Sequence, residues 1–440
     1  MRLVSKKNKN LKKIINMISN NNLDNNINNS EFYNDIMNNN LDDYIDDNLD
    51  DNIDDNLDDN IDDNLDDNLD DNSYSDEDYE TSDDDLSSID SDIISKEYVG
   101  KIINKYLILK YLTRGTFSTI WLVLNIESKT YNILKLQNDN CTDEGKNEIK
   151  LFKHINSTYI CKLLDYFSYN SQICLVFELL GDNLSIIYNF FDCIPDNLLI
   201  KIYNQILNGI NELHQQNIIH TDLKLDNILI KNPSYETYKF IKFMNTNLVE
   251  SCKNELNLEK INLIINSYKS DFDEEEKNIY YKNIFNDLHI KIIDLGNSEI
   301  ENNISNYEIG YKLYRSPENI LGYEYDTKSD IWTLGCIFYE LLTQSNFLEL
   351  ETSNSLTTDT KLLIAMSKQI GNIDKDYLIN SEFGENIYHE EIFYGKNNLI
   401  DNLSEYTNNE LIKNLIFKML NYYPKLRIDA IECIKIINFS

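Results

Sequence analysis

Eight tetrads of the form (Leu/Ile)-Asp-Asp-(Asn/Tyr) run from Leu41 to Asn72 and place sixteen aspartates within 32 residues. Read as a helix, their aliphatic residues fall at i, i+4 and i+8 and drift around the surface. Asp and Asn are poor helix formers, however, and the aspartates repel one another. Nothing in the run offers a partner for a core, so it is expected to be extended and disordered. The break with the rest of the chain is sharp. Residues 1–95 hold 6 basic and 28 acidic side chains, a net of -22, and the other 345 hold 34 and 47, a net of -13. All 12 glycines and all seven cysteines lie at or after Gly100. The tail lacks the Gly and terminal Glu of an EF-hand loop. A weak calcium sponge, a lure for basic proteins, a segment masking a basic patch, or a solvated low-complexity tail all fit it. Serines set among acids in residues 73–95 suit an acidophilic kinase. The run Lys6, Lys7, Lys9, Lys12 and Lys13 reads as a nuclear address or a solvated terminus.

Charge excludes further classes. A chain with 40 basic and 75 acidic residues is a poor candidate for binding nucleic acid or anionic membrane. A basic partner fits better. The odd, widely spaced cysteines are no disulfide framework. No CxxC pair occurs and histidines are few, which argues against a zinc module. No apolar run approaches the ~20 residues of a membrane span, and the first residues lack a signal-peptide core. The expectation is an intracellular protein, cytoplasmic or nuclear. Abundant Asn, Ile, Lys, Tyr and Asp with scarce Gly and Pro is the usage of an AT-rich genome, as in some large DNA viruses and protists.

Periodicity begins at Tyr98. Tyr106–Tyr111, Ser118–Asn125, Tyr131–Leu136 and Ile173–Leu179 read as strands. Glu144–Ile155 reads as a helix with Ile149, Phe152 and Ile155 on one face. Asp196–Gln215, Lys328–Leu342 and Asn409–Ile437 are helical in pattern. A small sheet domain followed by a larger helical one makes a two-lobed α+β arrangement.

The chemistry-bearing motifs follow in order. They are Leu112-Thr113-Arg114-Gly115-Thr116-Phe117-Ser118-Thr119-Ile120-Trp121, Ile133-Leu134-Lys135, His220-Thr221-Asp222-Leu223-Lys224-Leu225-Asp226-Asn227, Lys291-Ile292-Ile293-Asp294-Leu295-Gly296, Tyr314-Arg315-Ser316-Pro317-Glu318, Ser329-Asp330-Ile331-Trp332 and Arg427. One alone is weak; seven in this order resemble the eukaryotic protein kinases, over about residues 98–440.

The resemblance implies a β-rich N-lobe (about 98–180) and a helical C-lobe (about 181–440), using ATP and Mg2+. Phosphoryl transfer needs an oriented nucleophile, neutralised phosphate charge and metals on hard oxygen ligands. By resemblance Asp222 is the catalytic base, and Lys224 reaches the γ-phosphate as in serine/threonine kinases. Asn227 and Asp294 are the magnesium ligands. Lys135 holds the α- and β-phosphates, braced by Glu148, with Glu144 the competitor one turn earlier. Leu112, Gly115 and Ile120 belong to the nucleotide loop. Phe177-Glu178-Leu179-Leu180 is the hinge whose backbone takes the adenine, which adds Glu178 and Leu180. His220 is structural in this frame, Asp330 braces the catalytic loop, and Glu318 and Arg427 form a buried ion pair.

Phe117-Ser118-Thr119-Ile120-Trp121-Leu122 and Leu175-Val176-Phe177-Glu178-Leu179-Leu180-Gly181 are similar to the branch that phosphorylates serine/arginine-rich proteins. So is a spacer: Asp222 and Asp294 lie 72 residues apart, so about residues 232–288 are inserted between two strands. That spacer reads as a surface excursion, partly helical over Leu256–Tyr268, and dispensable because loop length costs little closure entropy. Three departures stand out. Thr113 and Ser118 replace loop glycines, the former restricting backbone near the phosphates. Leu225 replaces a proline. Thr221 replaces the arginine that reads an activation-loop phosphate, which argues against activation by phosphorylation there. The expected protein is a monomeric serine/threonine kinase acting on basic, arginine/serine-rich protein substrates, with Asp374, Asp376, Glu382, Glu385, Glu390 and Glu391 as a docking groove or a solvated face. The rivals are a pseudokinase scaffold and an acidic-tail module that binds basic proteins.

Overall fold

The structure, a computed structural model, describes residues 98–115, 118–138, 142–153, 155–251, 258–271, 273–301, 309–350 and 356–438. The acidic tail with its repeats, and the disorder expected of it, lie outside the described residues.

The N-lobe is an antiparallel six-stranded sheet in the order β1-β2-β3-β4-β6-β5. Its strands are β1 (Ile102–Ile103), β2 (Tyr106–Arg114), β3 (Ser118–Asn125), β4 (Tyr131–Gln137), β5 (Leu163–Tyr169) and β6 (Gln172–Glu178). Helix α1 (Thr142–Phe152) joins β4 to β5. Alternation divides the side chains between the two faces. Tyr106, Ile108, Trp121, Val123, Leu134 and Val176 form one buried cluster. Leu107, Leu109, Leu122 and Leu124 form another.

The C-lobe is organised by α2 (Asp196–His214) and α7 (Lys328–Thr343). In α2 the buried Leu199, Ile202, Tyr203, Ile206, Ile210 and Leu213 repeat at helical spacing. Tyr203 stacks on Phe338 of α7 with ring centroids 3.9 Å apart, and its hydroxyl donates to the Phe338 carbonyl. Between these helices run β7 (Ile218–Ile219), β8 (Ile228–Ile230), β9 (Ile290–Ile292) and β10 (Glu299–Ile300), paired β10–β7 and β8–β9. The helical stretch expected over 409–437 is broken into α12 (Glu410–Met419) and α13 (Ala430–Asn438), with Pro424, which lacks an amide donor, in the turn between. Helices α6 (Pro317–Leu321), α8 (Thr358–Ile370), α9 (Lys375–Ile379), α10 (Gly384–Ile387) and α11 (Leu399–Ser404) complete the lobe. Arg427 meets Glu318 as a two-pronged pair at 2.7 and 2.9 Å, with both side chains fully buried. The guanidinium also donates to the carbonyls of Asn421 and Lys328. That set of acceptors repays the cost of taking the charges out of water.

The spacer differs most from expectation. It forms three helices, α3 (Tyr235–Ser251), α4 (Leu258–Ser267) and α5 (Glu274–Asn286), of which only α4 falls in the stretch expected to be helical. Phe240, Ile241 and Met244 of α3 and Ile261 of α4 are buried together with Leu107, Leu109, Leu122 and Leu124 of the sheet. Tyr281, Ile284 and Phe285 of α5 are buried in the C-lobe core. Polar links support both contacts. The Tyr131 hydroxyl donates to Asn245 at 2.6 Å, Lys239 of α3 pairs with Glu276 of α5 at 2.8 Å, and the Tyr281 hydroxyl donates to Asp182. The spacer therefore belongs to the core of both lobes. Apolar residues three and four apart in a helix form a packing stripe, and that stripe was hidden by the abundance of Asn and Lys around it.

Candidate active site

Two groups of side chains converge where the lobes meet. The first is centred on Lys135 of β4. Its ammonium lies 2.8 Å from Glu148 Oε2 and 2.9 Å from Asp294 Oδ1. Glu148 is carried in by α1 and is 1% exposed; the carboxylate that meets Lys135 is thus not that of Glu144. Burial pushes the Lys135 ammonium's pKa down, but the two carboxylates outweigh it and hold it above the usual lysine value. Burial likewise pushes Asp294 up, and Lys135 outweighs it, holding that carboxyl below its usual range. The lysine is a fixed cation and Asp294 a fixed anion across the neutral range.

The second group sits on the loop between β7 and β8. Lys224 Nζ lies 2.9 Å from Asp222 Oδ2. Asn227 donates its amide to the Asp222 carbonyl at 2.8 Å and to Asp222 Oδ2 at 3.3 Å. The backbone of Ile293 donates to the Asn227 carbonyl at 3.0 Å, which sets Asp294 beside the loop. With the Asn227 amide nitrogen committed to Asp222, its side-chain oxygen is left as a ligand atom. That oxygen and the Asp294 carboxylate are the hard donors magnesium takes, so the residues fit the ion.

The loop and the turn after β9 each hold one strained residue. Thr221 and Asp294 both have a φ of 65°, a left-handed conformation that costs a residue other than glycine roughly 1–3 kcal/mol. Asp330 at the start of α7 fixes the loop: its carboxylate accepts from the amides of His220 and Thr221 at 2.8 and 3.1 Å and lies 2.9 Å from His214 Nε2. His220 is fully buried, with its Nε2 3.0 Å from the Ile293 carbonyl. Thr221 Oγ1 donates to the Asn297 carbonyl at 2.8 Å.

The remaining predicted residues lie on strands of the N-lobe sheet or directly after them. Leu112, half-buried, lies on β2. Ile120 lies on β3, directly across from Lys135 in the ladder. Gly115 donates its amide to the Ser118 carbonyl at 2.8 Å, closing the hairpin; residues 116 and 117 lie outside the described residues. Glu178 ends β6, and Leu180 is buried two residues on. Gly181 then donates to the Ile230 carbonyl at 2.8 Å, and a Cβ there would collide with the backbone of Asn232, so only glycine lets the hinge pass the start of the spacer.

Two further contacts brace the site without a motif of their own. The buried Lys291 meets the Glu178 carboxylate at 2.5 Å, tying the end of β6 to β9 through the side chain. Asn147 of α1 donates to the carbonyls of Gly296 and Ser298 at 3.2 and 3.1 Å, holding the turn after Asp294. Lys291 stands inside the metal-turn motif and Asn147 beside Glu148, which is the one signal that either carried.

The protein kinase domain family matches residues 106–261 and 276–437. The chain belongs to that family. Among curated relatives it is similar to the serine/threonine-protein kinase AFC1 of Arabidopsis thaliana, 26% identical over 249 residues, covering 54% of this chain and 47% of the relative. It is also similar to the dual specificity protein kinase CLK1 of Mus musculus, 24% identical over 324 residues, covering 68% and 57%. The chain thus spans about half the length of these relatives. No helix among the described residues is long and apolar enough to cross a membrane.

Proposed function

We propose that the chain is a serine/threonine protein kinase that uses ATP and Mg2+ and acts on basic, arginine/serine-rich proteins. The observation that carries the reading is the pairing of Lys135 with Glu148 and Asp294 next to the Asp222, Lys224 and Asn227 cluster. In this reading Leu112 and Ile120 cover the adenine and the backbone of Glu178 and Leu180 meets its edge. Gly115 approaches the phosphates and Lys135 neutralises them. Asn227 and Asp294 would hold magnesium, which would supply neutralisation of phosphate charge. Asp222 accepts the proton of the substrate hydroxyl as its oxygen bonds to the γ-phosphorus, the bond to the β-phosphate oxygen breaks and ADP leaves. Lys224 steadies the charge on the transferring group.

The net charge of -13 over residues 96–440 favours cationic substrates, and Asp374, Asp376, Glu382, Glu385, Glu390 and Glu391 are all exposed on one stretch of the C-lobe. Asp374 also caps α9, accepting from the amides of Asp376 and Tyr377, so it has a local role as well. The test is transfer of labelled phosphate from ATP to serine peptides. A serine/arginine repeat should be phosphorylated faster than an acidic serine peptide. That advantage should shrink as salt rises to about 0.5 M, where screening shortens the reach of exposed charges to a few ångströms. Transfer to neither peptide overturns the kinase reading; an acidic preference overturns only the substrate class.

A further inference from the structure

The spacer carries a surface cavity of about 300 Å³ whose lining includes Lys239, Lys242, Phe243, Tyr268 and Lys269, with Asp271 among its walls. Lys242 and Lys269 are exposed, while Phe243 and Tyr268 are half-buried with ring centroids 5.2 Å apart. Lys239 is committed to Glu276, but neither Lys242 nor Lys269 forms an ion pair among the described residues. In a chain of net charge -35, a groove that combines aromatic surface with Lys239, Lys242 and Lys269 against Asp271 is a local exception.

We infer that this groove binds the chain's own acidic repeat, residues 41–72. Three observations select that occupant. The chemistry matches, because each tetrad offers one aliphatic side chain and two aspartates, suited to the Phe243–Tyr268 surface and the lysines at its edge. The entry point matches too. The described fold begins at Tyr98, and Gly100 (φ 80°) passes so close to α4 that a Cβ on it would collide with Asn262. Tyr268 follows six residues later, about 9 Å farther along at a helical rise. Finally, the reach is sufficient: the 25 residues between Asn72 and Tyr98 span roughly 25–30 Å as a flexible coil. The repetition of the tetrad lets several registers dock equivalently, which raises the effective local concentration of ligand.

The experiment uses the full chain. A zero-length carbodiimide couples carboxylates to amines only at ion-pair distance. Crosslinks should join Lys242 or Lys269 to aspartates within residues 42–71, and should fall at least tenfold in about 0.5 M salt, where the Debye length is only a few ångströms. A 1:1 mixture of isotope-labelled and unlabelled chains should give them within one chain. Tail crosslinks spread over other lysines, or found mainly between chains, overturn the inference. In parallel, K242Q/K269Q should enlarge the maximum dimension in small-angle scattering to that of the wild type at high salt, and an unchanged dimension overturns it as well. Should that variant fail to fold, the crosslink map of the wild type decides alone.

Discussion

The loop His220–Asn227 and the spacer are neighbours in sequence, separated by β8 and Lys231, yet they are built on opposite principles. Residues His220–Asn227 contribute little apolar burial beyond Leu223 and Leu225 and are fixed by directed polar contacts to Asp330, Ile293 and Asn297. The spacer is fixed by apolar surface against both lobes, with a few polar links between. A loop of the first kind is specified by the identity of each residue, since a carboxylate at Asp330 has no substitute. A segment of the second kind is specified by volume and periodicity, which many residues satisfy. The first is therefore legible as a motif and the second is not.

The sharpest way to break this comparison is to remove the spacer. Replacing residues 232–288 with a short Gly/Ser link strips Phe240, Ile241, Met244 and Ile261 from the sheet and Tyr281, Ile284 and Phe285 from the C-lobe core. At about 1.5–3 kcal/mol for each large apolar side chain buried, the loss matches or exceeds the whole stability of an ordinary domain, about 5–15 kcal/mol. The shortened protein is expected to be insoluble or to lack a cooperative melting transition. A soluble, cooperatively melting product would restore the view that the spacer is a surface excursion.

Substitution in the loop should show the reverse pattern. Asp222→Asn keeps the shape of the side chain and removes its ability to accept a proton, so kcat should fall by about 10²–10⁴-fold with nucleotide binding and melting temperature nearly unchanged. Phe240→Ala in the spacer should do the opposite. It is expected to cost about 3–5 kcal/mol of stability, read as a lower denaturant midpoint, while kcat below the transition is retained. Matching effects of the two substitutions on both readouts would dissolve the distinction between the regions.

What is legible in the sequence divides along the same line. Lys135, Glu148, Asp222, Lys224, Asn227 and Asp294 were all named from motifs, and the structure brings them into two adjoining groups. The N-lobe strands and α2 were visible because alternation and helical spacing are strong there. Helices α3 and α5 were not, since their apolar residues are diluted by Asn, Lys and Glu and a single long insertion has no motif. Thr221 stands in the sequence as a missing arginine. Its left-handed backbone was invisible, because a β-branched residue is among the last expected there.

The smallest expected effect concerns that residue. An arginine at position 221 would leave a cation needing an anion, and a phosphorylated loop residue would supply it. Thr221 instead donates a neutral hydrogen bond to the Asn297 carbonyl, and Ser298 donates to the His220 carbonyl at 3.1 Å. Asn147 holds the same turn from α1. The start of the segment after Asp294 is thereby secured without any charge. Arg315, at its far end, faces Asp359 at 3.6 Å. Kinase made in bacteria and stripped with a phosphatase should therefore keep its rate. A loss of most activity on phosphatase treatment, restored by incubation with ATP, would mean that a phosphate orders this segment after all and that the loop depends on charge it does not itself contain.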